Sequence, residues 1–152
     1  MKTFHVRTLG CKVNQCDSGE IREKFFDLGW QESPKNAKAD LCIVNTCCVT
    51  HHADRKSRNA ITSVVRNNPA AKVVVIGCYV SYNRPAVEGI DGIAAVFESN
   101  KKDELFKWAQ GLPGVITCVE GGRVYPVCSN RTRAFLKIQD GCNNSCSYCV
   151  VP

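Results

Sequence analysis

The sequence predicts an α/β domain: a doubly wound parallel sheet with helices on both faces. Two patterns carry that prediction. Nearly continuous apolar runs at residues 40–46 and 72–76 suit strands buried on both faces of a parallel sheet. Segments with helically spaced apolar residues alternate with such runs, as right-handed crossover units require. The 152 residues, 44% of them hydrophobic, suffice for one domain with a real core.

The elements follow in order. A first strand is expected at residues 3–8, closed by Leu9-Gly10-Cys11. Asp17 or Ser18 is expected to cap the first helix, with Glu20 placed for a capping box. Ile21, Phe25 and Leu28 recur at helical spacing, and Gly29 ends the element. Residues 30–33 suit a short edge strand, followed by a polar turn around Pro34-Lys35-Asn36. The run at 40–46 delivers Cys47 and Cys48. A helix is expected over residues 53–66, with Ala53, Ala60, Ile61, Val64 and Val65 as its apolar stripe. Arg55, Arg58 and Arg66 lie along another face, with Lys56 nearby; such a face is ordinarily just solvated. Residues 72–76 form the clearest strand and end in Gly77-Cys78. A brief helix starting at Pro85, a strand at 94–97 and a helix at 101–110 packed through Leu105, Phe106 and Ala109 complete the domain. The whole reads as a flavodoxin-like fold over residues 1–111.

From about 112 to 132 the pattern breaks into Gly, Pro and isolated polar residues, which reads as a linker. Residues 133–139 alternate again. They are expected to be the first strand of a second domain, opened by residues 133–152 and truncated here.

The net charge of +6 is a mild hint of a polyanionic partner. The start of the chain has no apolar signal-peptide core, and no run approaches transmembrane length, so a cytoplasmic protein with no membrane contact is expected. Eleven cysteines is an odd number, which fits a disulfide framework poorly and favours cytosolic metal–sulfur chemistry.

Cys142, Cys146 and Cys149 stand at gaps of three and two residues, so one loop brings three sulfurs together. Three thiolates can hold three irons of a 4Fe-4S cube and leave the fourth open to a ligand. Zinc is the alternative; it would want a fourth ligand, and only an earlier His or Cys could supply one. This spacing, with the aromatic Tyr148 before the third cysteine, resembles the signature of the radical S-adenosylmethionine (SAM) enzymes. A SAM-binding barrel needs roughly 250 residues, so the chain could hold only its opening.

Cys11, Cys47 and Cys78 each follow an expected strand, which places all three on the carboxyl edge of one parallel sheet, where open α/β sheets hold ligands. Cys11 and Cys78 each follow a glycine, where backbone can approach a ligand closely. Cys42, inside a strand, reads as a small buried hydrophobe. Topology alone leaves both readings of the three edge cysteines open: a second metal site, or ordinary buried residues.

The runs Thr8-Leu9-Gly10-Cys11-Lys12-Val13-Asn14-Gln15, Val44-Asn45-Thr46-Cys47 and Gly77-Cys78-Tyr79, taken with the three-cysteine loop, resemble the methylthiotransferase branch of the radical SAM enzymes. Within it, Ala53-Asp54-Arg55-Lys56-Ser57-Arg58 and Phe135-Leu136-Lys137-Ile138-Gln139-Asp140-Gly141 look most like the enzymes that methylthiolate N6-threonylcarbamoyladenosine at position 37 of tRNA. The resemblance implies two 4Fe-4S clusters. Cys142, Cys146 and Cys149 would hold the SAM-cleaving one, with the Tyr148 backbone against the SAM adenine. Cys11, Cys47 and Cys78 would hold an auxiliary cluster that carries sulfur. It further implies a tRNA anticodon arm as partner, met by Arg55, Arg58 and Arg66, an electron donor such as a flavodoxin or ferredoxin, and a sulfur source. Cys16 and Cys48 depart from the pattern, and Cys118 and Cys128 have no assigned role. The alternatives are the isopentenyladenosine-tRNA or ribosomal-protein branch, a zinc-dependent RNA-binding module, and a flavodoxin-like electron carrier. The last lacks a Ser/Thr/Gly-rich phosphate loop after the first strand.

Overall fold

The computed structural model describes residues 2–34, 38–48, 51–112, 137–139 and 141–149, excepting the side chains of residues 51 and 52. Its elements are β1 (Thr3–Thr8), α1 (Lys12–Asp27), β2 (Gln31–Glu32), β3 (Leu41–Thr46), α2 (His51–Asn67), β4 (Lys72–Gly77), α3 (Cys78–Glu88), β5 (Ile93–Phe97) and α4 (Lys102–Gln110). The strands form one five-stranded sheet in the order β2-β1-β3-β4-β5, parallel throughout. This is the flavodoxin-like order, with its ligand edge where β1 and β3 diverge.

The period-two alternation of each strand divides the core into two layers. Phe4, Val6, Leu41, Ile43, Val74 and Ile76 pack on one face against Ile21, Phe25 and Leu28 of the α1 segment and Leu105, Phe106 and Ala109 of α4. Cys42, Val44, Val73 and Val75 pack on the other, against Ile61 and Val64 of α2 and Tyr79, Val80 and Val87 of α3. Every residue of β3 is buried, because helices cover both sides of this central strand. Phe25 anchors the first layer. Its ring lies 5.1 Å from Phe4, 5.6 Å from Trp30 and 6.3 Å from Phe106, so truncation to Ala would cost about 3–5 kcal/mol.

Two elements differ from their expected limits. First, α1 begins at Lys12, so Asp17 and Ser18 sit inside it rather than cap it; the residue before the helix is Cys11, whose side chain does not cap. The first turns lack an apolar stripe because Asn14, Asp17 and Ser18 are buried as hydrogen-bonded groups. Second, α3 begins at Cys78, seven residues before Pro85, and breaks at Asn83 (φ −146°, ψ 66°). Asn83 Oδ1 then accepts the Ala86 amide at 3.3 Å, restarting the helix across Pro85. Only this second half carried a start signal in the sequence. Of the expected barrel strand only residues 137–139 are described, and no strand is assigned to those three. The rest of the expected barrel strand, the linker at 113–132 with Cys118 and Cys128, and the turn residues Lys35 and Asn36 lie outside the described residues.

Candidate metal centre

β1, β3 and β4 run in register to a common end, with Thr8 beside Asn45 and Thr46 beside Gly77. The chain leaves that edge through Gly10-Cys11, Cys47-Cys48 and Gly77-Cys78, which brings Cys11, Cys47, Cys48 and Cys78 to one end of the sheet. Cys11 precedes the first residue of α1 and Cys78 opens α3, so both stand at helix N-terminal ends.

Two glycines make the approach possible. Gly10 has φ +98°, and a Cβ there would lie 2.4 Å from Cys47 Cβ and 2.6 Å from its Sγ. The Cys47 side chain therefore occupies the space that any residue at position 10 would need. Gly77 has φ +116°, and its Cβ would meet the Thr46 carbonyl at 2.4 Å. Neither site can take another residue without moving a cysteine loop.

A buried polar lattice holds these loops. Asn14 Nδ2 donates to the carbonyls of Leu9 (2.9 Å) and Thr46 (2.8 Å), tying the first loop to the second. Its Oδ1 accepts a long contact of 3.9 Å from Cys78 Sγ, which adds the third. Asn45 Nδ2 donates to the Asn14 carbonyl (2.9 Å) and to Ser18 Oγ (3.0 Å), while Thr8 Oγ1 donates to Ser18 Oγ at 2.7 Å. Ser57, fully buried on α2, accepts the Cys47 amide at 3.2 Å and donates to the Cys47 carbonyl at 2.8 Å. Spacing arguments missed Asn14, Asn45 and Ser57. The one available signal was Asn45, a polar residue inside an apolar strand.

The adjacent cysteines face different surroundings. Cys47 is buried against Gly10. Cys48 is half-buried, packs with the α2–α3 layer and donates from Sγ to the Cys78 carbonyl at 3.3 Å. Burial pushes the Cys78 thiol up to about 11, and Cys48, Cys47, Cys11 and Asp17 add to the shift. Cys48 is raised too, by burial and then by Cys47 and Asp54. These thiols are protonated at neutral pH, so a metal that takes them as thiolates must displace protons. Among the described residues, no three His, Cys, Asp or Glu side chains already meet around one point that could hold an ion.

The second group is built differently. Gly141 turns the chain at φ +70°, and the Cys149 amide donates to the Cys146 carbonyl at 3.0 Å. Cys142 is half-buried and receives the Asn144 amide on its sulfur at 3.5 Å, while Cys146, Cys149 and Tyr148 are exposed. Arg55, Arg58 and Arg66 are exposed along α2, spread over about 17 Å of helix, with Arg58 paired to Asp54 at 3.3 Å. Cys42 is buried in β3 and Cys16 is partly buried in α1. No helix among the described residues is long and apolar enough to cross a membrane.

Known proteins resemble this chain along its whole length. A family model described as uncharacterized protein family UPF0004 matches residues 3–98. The chain is 34% identical to threonylcarbamoyladenosine tRNA methylthiotransferase MtaB of Bacillus subtilis, over 100% of the chain and 36% of that protein. It is 32% identical to tRNA-2-methylthio-N(6)-dimethylallyladenosine synthase of Chlorobium phaeobacteroides, over 99% of the chain and 36% of the relative. It is 29% identical to ribosomal protein uS12 methylthiotransferase RimO of Thermodesulfovibrio yellowstonii, again over 100% and 36%. The chain thus spans about a third of the length of these relatives.

Proposed function

The chain belongs to uncharacterized protein family UPF0004, and on that premise we propose that it is the N-terminal part of a radical SAM methylthiotransferase. The substrate in this reading is tRNA, at N6-threonylcarbamoyladenosine 37, which becomes its 2-methylthio derivative. The convergence of Cys11, Cys47 and Cys78 on one sheet edge carries the reading, together with relatives of all three methylthiotransferase kinds. The higher identity to the threonylcarbamoyladenosine relative favours that branch over the ribosomal-protein one.

The edge thiols fit an iron–sulfur cluster better than a lone ion. They are soft donors contributed by three separate strand ends. A cluster's ligands each bind a different metal, whereas the ligands of zinc share one. In this reading Cys142, Cys146 and Cys149 would hold a 4Fe-4S cluster, which would supply reductive cleavage of SAM, and Cys11, Cys47 and Cys78 would hold one that would supply sulfur. The protein's own work is positioning. Asn14 and Ser57 fix the loop backbones. The Tyr148 backbone would meet the SAM adenine. Arg55, Arg58 and Arg66 would meet phosphates of the anticodon arm. Residues 1–111 form the auxiliary domain in this account, 112–132 the linker, and 133–152 the opening of the SAM domain. The cell supplies an electron donor and a sulfur source in the cytoplasm.

The test is to express the full-length protein in a host lacking the 2-methylthio form of threonylcarbamoyladenosine, then analyse its tRNA nucleosides by mass spectrometry. Appearance of that nucleoside supports the reading. Methylthiolated isopentenyladenosine or ribosomal protein instead would move the protein to another branch. Zinc without acid-labile sulfide after anaerobic purification would replace the enzyme reading with an RNA-binding module.

A further inference from the structure

One ion-pair network is set apart from the rest by its burial and its reach. Asp17, on α1, is 5% exposed. Its Oδ1 accepts hydrogen bonds from Lys102 Nζ of α4 at 3.0 Å and from Lys137 Nζ at 2.7 Å. Lys102 also donates to Glu20. The side chains of Asp17, Lys102 and Lys137 are only 8%, 15% and 19% exposed, whereas in the pair Arg84–Glu88 both partners are 45% exposed or more. Exposed pairs of that kind contribute little; breaking a buried one leaves an uncompensated charge.

The charge count shows what Lys137 adds. Asp17 and Glu20 both pair with the one ammonium of Lys102, and Lys137 brings a second ammonium to Asp17. Asp17 lies on α1, the helix that leads directly out of Cys11 at the sheet edge. Lys137 stands five residues before Cys142, a tether of at most about 18 Å. One buried carboxylate thus connects the sheet edge that carries the first thiols to the segment that carries the second.

We propose that Asp17 is a positioning residue: through Lys137 it latches the Cys142–Cys149 loop onto the flavodoxin-like domain and so sets the separation of the two thiol groups. The consequence for methylthiolation rests on the function proposed above; the latch itself does not.

Hydrogen exchange on the full-length protein tests it, with Asp17→Asn, Lys137→Met and the double variant. A charge-assisted hydrogen bond is being removed, so the amides of this loop that have acceptors, Cys149 bonded to Cys146 and Asn144 bonded to Cys142 Sγ, are expected to exchange about 10- to 100-fold faster in each single variant. The double variant is expected to match the singles, because the two changes remove one interaction. Amides of β3 and β4 keep their protection. Lys137→Met covers the case in which Asp17→Asn disturbs α1, since Lys137 lies outside the folded sheet domain. Lys137→Arg is expected to restore slow exchange. Unchanged exchange in 141–149, or acceleration spread equally through β3 and β4, would overturn the latch. In turnover on tRNA, kcat is expected to fall with KM unchanged. If wild type makes no methylthiolated product while exchange responds as described, the function fails and the latch stands.

Discussion

The two groups of cysteines reach similar thiol counts by opposite routes. Cys142, Cys146 and Cys149 are gathered by spacing within one loop, whose described amides reach only the Cys146 carbonyl and the Cys142 sulfur, and two of the three thiols are exposed. Cys11, Cys47 and Cys78 are gathered by topology from three separate strand ends, and a buried lattice of Asn14, Asn45, Ser18 and Ser57 holds them. The lesson concerns preorganisation. The backbone around residues contributed by separate strands is fixed by the core and the buried lattice. Ligands in an exposed loop owe their positions to whatever docks around them, which gives a latch such as Asp17–Lys137 something to do.

The sharpest way to break the comparison is to count irons. With Cys142, Cys146 and Cys149 all replaced by alanine in the full-length protein, only the edge group remains. Cys47→Ala is then expected to lose the whole complement of about four irons, and Cys48→Ala to keep it, after anaerobic reconstitution. The reverse result would hand the ligand role to Cys48, whose sulfur already touches the Cys78 backbone.

Glycine substitution compares the two scaffolds directly. Gly77 and Gly141 both have positive φ, but an added Cβ strikes backbone at Gly77 and meets nothing within 4 Å at Gly141. Gly77→Ala should therefore destabilise the metal-free protein by about 3 kcal/mol or more, the cost of strain plus a clash. Gly141→Ala should cost about 1–2 kcal/mol locally and leave the midpoint of urea unfolding of the sheet domain unmoved. Equal effects would mean that the loop is as tightly built as the edge.

Alkaline titration gives a smaller effect. The Cys78 thiol is raised from an ordinary 9.0 to about 11, so its neutral form is the one the fold favours. That contribution is fully present below pH 9 and is lost as pH rises through about 11; it is no more than about 3 kcal/mol. Metal-free Cys78→Ala should show a flatter stability profile between those limits than the wild type, measured by urea unfolding at each pH. Parallel profiles would place the burial penalty elsewhere.

The smallest effect on the fold concerns α2. Neutralising Arg55, Arg58 and Arg66 together should leave stability within about 0.5 kcal/mol, since all three are exposed. In the full-length protein it should weaken tRNA binding and reduce the salt slope by up to about three, one for each phosphate no longer neutralised. An unchanged slope would mean that this face is solvated and that RNA is held elsewhere.

The sequence by itself determined whatever depends on local repetition. The apolar runs of β3 and β4 declared strands covered on both faces, and the sheet obeys, because period-two alternation leaves no other way to bury Leu41 and Ile43 on one side and Cys42 and Val44 on the other. The position of Cys11, Cys47 and Cys78 at strand ends was legible for the same reason. Spacing alone brought Cys142, Cys146 and Cys149 into one loop. Tertiary structure decided everything that depends on polar groups finding partners far away. The first turns of α1 carry no apolar stripe, so their helical state was invisible until Asn14 met Thr46 and Ser18 met Asn45. The start of α3 was hidden because Cys78-Tyr79-Val80 could continue a strand; Gly77 at φ +116° turns it into a helix. Asp17 has the residue type of a cap and is a buried carboxylate, because Lys102 and Lys137 arrive from 85 and 120 residues away to neutralise it. Hydrophobic burial is written in periodicity, whereas a hydrogen bond or an ion pair needs one specific partner, and only the folded chain shows which partner that is.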